Sequence, residues 1–139
     1  FFSLNKTCKS LIMFIKSSLI YFAIAALVGL DMTFMPGHYG ALMPMHAHLM
    51  LLGWISMMIF GVAYHILPRF SASPLYSEKL ANAQFYVAHI GLIGMSVSFV
   101  LRSYVDAGAM LLIIFSIIEA VAVIMFAFNM LMTLPKAPK

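Results

Sequence analysis

Two histidines, His46 and His48, open an apolar run in which no charged residue appears until Arg69. Imidazole ligates metals and carries protons near neutral pH, and a purely structural membrane span has no need of it. On a helix turning ~100° per residue the two rings are about 200° apart, so they face opposite sides and cannot chelate one ion together. They are expected to have separate jobs. The face of His46 continues through Leu49, Met50, Gly53, Met57, Phe60 and Tyr64. A glycine at position 53 would let a flat group or another helix come close to the backbone there.

Just ahead of these histidines lie Met32, Met35, His38, Met43 and Met45, interleaved with the turn formers Pro36, Gly37, Gly40 and Pro44. The spacing predicts an outer connection over residues 32–45. Thioether and imidazole together suit copper(I), which makes Met35, Met43 and Met45 with His46, His48 or His38 a candidate metal set. The plainer explanation is that a chain with 13 methionines uses them to fill irregular apolar gaps.

Farther on, Asn82, His89, Ser96 and Ser103 recur every seven residues, a polar stripe expected to turn toward other helices or a cavity. Glu119 stands near the middle of the last apolar run, with Ser116 on the same face. Counting ~1.5 Å per residue, His89 and Glu119 lie at a similar depth, which makes them a candidate intramembrane polar pair. Such a pair fixes helix packing by a hydrogen bond or relays protons. No nucleotide-binding loop, nucleophile elbow or cysteine-based metal motif appears.

The elements that must position these residues follow from composition. The chain is 64% hydrophobic and 9% charged, with a mean hydropathy of +1.04, which leaves too little polar surface for a water-soluble domain. Low-charge runs near residues 14–34, 41–67, 80–101 and 107–134 each suffice to cross a ~30 Å hydrocarbon core as a helix. The expected fold is therefore all-α: a four-helix transmembrane bundle forming one integral membrane domain over residues 1–139. These runs are continuous rather than alternating, which argues against a β-barrel. Residues 1–15 mix apolar side chains with lysines and suit a segment lying in the membrane interface, an uncleaved signal anchor rather than a cleaved signal. Of eight basic residues, Lys6, Lys9, Lys16, Arg69, Lys79, Lys136 and Lys139 fall on one side and Arg102 on the other, so both termini are expected in the cytoplasm. The net charge of +4 is thus spread along membrane borders, and no nucleic-acid partner is expected. The single cysteine, Cys8, cannot close a disulfide within the chain.

The set His46, His48, Leu49, Gly53, Trp54, Gly61, Ala63, Tyr64, Leu67, Pro68, Arg69 and Phe70 resembles the second transmembrane helix of subunit I in the cbb-type (C-family) haem–copper oxidases and the related nitric oxide reductases. It is also similar to small four-helix proteins described as subunit-I-like. The resemblance implies that His46 occupies the position of a low-spin haem b ligand near the outer face. It also implies a role in electron transfer within a respiratory or other redox complex. The full oxidase subunits carry their second haem ligand and copper-binding histidines on later helices, and they follow the ligand with Thr-Asn where this chain has Ala47 and His48. Oxygen reduction by this chain alone is not expected. The second haem ligand is left open between His38, an outer methionine, a second copy and a larger partner.

Four functions remain: a haem b subunit in a bacterial or archaeal plasma membrane, a cofactor-free accessory subunit, a copper-handling factor, and a conductor through Asn82, His89 and Glu119. Lipid is the certain partner, with a larger membrane complex or homo-oligomer beside it.

Overall fold

The computed structural model describes residues 2–134, with side chains from Ile12 onward, and the described residues form four helices long and apolar enough to cross a membrane. Helix α1 spans Phe2–Phe34, with its apolar part at Ile12–Phe34. Helix α2 spans Pro36–Phe70, α3 spans Glu78–Leu101 and α4 spans Ala107–Thr133. The expected bundle of four membrane helices is present. The interfacial segment anticipated at the start is continuous with α1 from Phe2, and the side chain of Cys8 lies outside those described.

The outer connection differs from expectation. Instead of a loop over residues 32–45, a single 3-10 turn at Pro36–His38 leads directly into the helical segment Tyr39–His48. Pro36 suits this start because its fixed φ is already helical and its missing N–H would have had no partner. Pro44 lies inside the helix, which a membrane span tolerates where neighbouring helices surround the freed backbone. Below it, Leu49–Ser56 widens into a π-turn before the α-geometry resumes at Met57–Phe70.

Helix α2 ends in a Schellman cap. Ser73 N–H donates to the Pro68 carbonyl at 3.0 Å and Ala72 N–H to the Arg69 carbonyl at 3.3 Å, with Ala72 at φ 49 in the left-handed region. Pro74 then stops the helix from continuing. Helix α3 restarts on Ser77, whose hydroxyl accepts from Leu80 N–H at 3.1 Å.

Helix α3 is central: half of its most apolar window is buried inside the bundle, against 11% for α4, most of whose surface is left outside it. Below the middle, the rings of Phe14, Phe60, Tyr64, Phe85 and Phe126 interlock edge to face or tilted at 4.5–6.0 Å. That aromatic core ties all four helices together at one level.

Candidate functional site

Helix α1 offers α2 a flat surface where Ala25 is fully buried and Gly29 has no side chain. The His46 ring lies in that space: a Cβ on Gly29 would stand 3.2 Å from its Cε1. Its Nδ1 sits 2.9 Å from the Ala25 carbonyl oxygen. A carbonyl only accepts, so Nδ1 carries the hydrogen and donates it, leaving Nε2 with a free lone pair. No described residue hydrogen-bonds that nitrogen.

The ring of His48 turns the other way. Its Nδ1–H donates to Pro44 carbonyl at 2.8 Å, one turn back on its own helix, and the ring stands 4.8 Å from Phe99 of α3. The two histidines therefore serve different interfaces, α1 and α3, and do not converge on one ion. His38 belongs to a third place, the outer corner, where its Nδ1 meets Asp31 Oδ2 at 2.8 Å with both side chains about half exposed. This pair edges a cleft of about 710 Å³ lined also by Gly40, Leu42, Val100 and Tyr104.

The thioethers are not gathered. Met35 and Met43 are 55% and 39% exposed, while Met45 packs against the core. Because the expected loop is helical, residues 43 and 45 lie about 200° apart around the axis. Among the described residues no group of three or more His, Cys, Asp or Glu could hold a metal ion.

Gly53 is occupied by protein. A Cβ there would stand 2.8 Å from Tyr21 Cβ and Cγ, so the glycine admits a neighbouring helix, and a flat group has no room at that point. Just beyond it, Phe22 and Trp54 stack at 4.1 Å and hold the same two helices together.

The other anticipated polar residues lie deeper. His89 donates from Nδ1 to the Phe85 carbonyl at 2.7 Å, and its ring sits 5.5 Å from that of Tyr21. Glu119 is buried on α4 against Gly91, where a Cβ would come within 2.7 Å of both its backbone N and its Oε2. No hydrogen bond joins His89 to Glu119; equal depth does not bring them together, because one side chain turns to α1 and the other lies over α3. Of the polar stripe, Ser96 is buried, while Asn82 and Ser103 are exposed at the two ends.

Two buried amides, Gln84 and Asn129, had no part in the sequence reading. Tyr64 O–H donates to Gln84 Oε1 at 2.8 Å. Asn129 accepts from Ser77 N–H at 3.1 Å and returns a bond to the Ser77 carbonyl at 2.9 Å, clamping the start of α3 to the end of α4. Amide side chains inside apolar spans are themselves the signal that would have found Gln84 and Asn129.

Over residues 7–139 the chain matches the family described as cytochrome C and quinol oxidase polypeptide I. No curated protein and no solved structure was found to match it. With nearly the whole length covered and four membrane helices in place, this chain belongs to the cytochrome c and quinol oxidase polypeptide I family and is an integral, multi-pass membrane protein.

Proposed function

We propose that this family member is a haem b-binding membrane subunit that serves electron transfer within a larger redox complex, with His46 as one axial ligand near the outer face. The observation that carries this reading is the bond from His46 Nδ1–H to the Ala25 carbonyl. Metal-ligating histidines donate their second ring N–H to a carbonyl or carboxylate, which fixes the tautomer and aims the free nitrogen. His46 does this across to another helix, whereas His48 and His89 only bond one turn back along their own.

A bound haem b would supply a one-electron redox centre. His46 would hold the iron, the Ala25 carbonyl would orient the imidazole, and Gly29 leaves the room its ring requires. The residues present fit one axial position. His48 looks toward α3, His89 lies mid-bundle and His38 belongs to the half-exposed outer corner, so the second ligand and most of the porphyrin's surroundings would come from a partner subunit or a second copy. The basic residues at the inner borders support cytoplasmic termini, testable with a reporter fused after Lys139 that should be active only on the cytoplasmic side.

The deciding measurement is the visible spectrum of the protein purified from its own membrane. A Soret band present in wild type and lost in His46→Ala is expected. A colourless wild-type protein would remove the haem reading and leave a cofactor-free accessory subunit.

A further inference from the structure

The walls of the outer cleft come from three helices: Ile24, Leu27 and Val28 belong to α1, Gly37 and Gly40 to α2, and Val100 to α3, with Ser103 and Tyr104 in the turn that follows. Its volume of about 710 Å³ lies within the roughly 300–1,000 Å³ of sites that enclose an organic ligand. Asp31 stands in the last turn of the apolar stretch of α1, which ends at Phe34, so its carboxylate is at headgroup level. Ile24 is two turns deeper, about 10 Å at the helical rise. The cleft therefore runs from a polar mouth into the depth of the hydrocarbon.

Two independent features fit it to a ligand. Neither Gly37 nor Gly40 has a positive φ, and a Cβ on either would meet nothing within 4 Å. At Gly29, Gly53, Gly91, Gly94 and Gly108 the missing side chain admits a neighbour at 3.2 Å or less. The bare wall of the cleft is thus required neither by the backbone nor by packing, and it leaves room. The second feature is the set of polar atoms at the mouth. His38 Nδ1–H donates to Asp31 Oδ2 at 2.8 Å and holds that carboxylate in place. Asp31 Oδ1 and the hydroxyls of Ser103 and Tyr104 make no hydrogen bond to any described residue. A carboxylate beside two hydroxyl donors is complementary to a zwitterion, a cation that donates next to an anion that accepts.

We propose that this cleft binds a phospholipid with a primary ammonium headgroup, a phosphatidylethanolamine. The ammonium donates to Asp31 Oδ1, the phosphate accepts from the Ser103 and Tyr104 hydroxyls, and an acyl chain runs down past Leu27, Val28 and Ile24. His38 is a positioning residue for the carboxylate. The site holds its lipid whether or not His46 carries haem. A choline headgroup has the same two charges but no N–H to donate, which makes it the control.

Native mass spectrometry of the full chain, with phosphatidylethanolamine and phosphatidylcholine of identical acyl chains added in competition, tests this. The wild type should retain the first several-fold more than the second. Asp31→Asn keeps the shape and removes the charge, and should bring the two lipids to parity. Gly40→Phe places a ring in the open space of the cleft and should lower the binding of both. Equal retention by the wild type overturns the proposal, since lipid held without regard to headgroup is only annular. A preference that survives in Asp31→Asn, or unchanged binding in Gly40→Phe, places the lipid elsewhere and overturns it too. Recovery of a quinol in place of the phospholipid also sinks it, because a quinol's hydroxyls donate but carry no charge.

Discussion

The outer junction of α1 with α2 and the hairpin of α3 with α4 bring helices together by opposite means. In the hairpin, glycines remove side chains so that backbones touch: a Cβ on Gly91 would meet the Glu119 backbone at 2.7 Å, and one on Gly108 would meet Arg102 N at 2.4 Å. Its inner end is closed by the paired bonds between Asn129 and Ser77. In the outer junction the space left by Gly29 is filled by an imidazole that has spent one nitrogen on packing and kept the other. In the hairpin the Asn129 amide and the close glycine contacts serve cohesion, whereas the junction holds the second ring nitrogen of His46 in reserve. Among membrane helices, where apolar burial drives little association, close backbone packing builds the scaffold and a spare polar atom marks the site.

The sharpest way to break the hairpin is Gly91→Val. Its side chain would meet backbone rather than a movable ring, and overpacking of about 1–3 kcal/mol or more is expected. Assembly yield in the membrane should collapse; a variant that accumulates like wild type would show that the glycine contact is dispensable.

At the junction, His46→Ala should remove bound haem, while His48→Ala should leave most of it, since that ring faces Phe99. Haem content per protein, from the pyridine haemochrome spectrum, decides between them. Equal losses would mean that the two rings share one site after all.

Asn129→Ala deletes both bonds to Ser77 and should destabilise the inner end by ~1–3 kcal/mol without altering haem content. Thermal unfolding in detergent reads the first effect and the Soret band the second. The smallest change is expected from replacing Met35 and Met43 together, two exposed thioethers whose loss should stay within about 0.5 kcal/mol. If wild type retains copper(I) and combined loss of Met35, His38, Met43 and Met45 releases it, the corner is a metal site and the contrast with the hairpin widens.

The four spans were legible in the sequence because uninterrupted apolar runs admit one structure in lipid. The divergence of His46 and His48 was legible too, being a matter of helical angle alone. Positions 36–45 misled because Pro and Gly mark turns in water yet are common inside membrane helices. The neighbours of Glu119 were hidden for another reason: depth along a helix can be counted, but rotation about it depends on which glycine the next helix presses against. Tyr21 gave no local sign of its role, since a tyrosine in an apolar span reads as ordinary packing until Gly53 is found beneath it.

The π-turn at Leu49–Ser56 sets the phase between the two halves of α2. A π-turn carries one residue more than an α-turn for nearly the same advance, so it behaves like an inserted tooth in a gear. With it, the outer half presents His46 to Ala25 while the inner half presents Tyr64 to Gln84. Were the same residues to take plain α-geometry, one half would turn against the other by about 100°. The chain would then have to give up either the histidine's seat on α1 or the tyrosine's bond to α3.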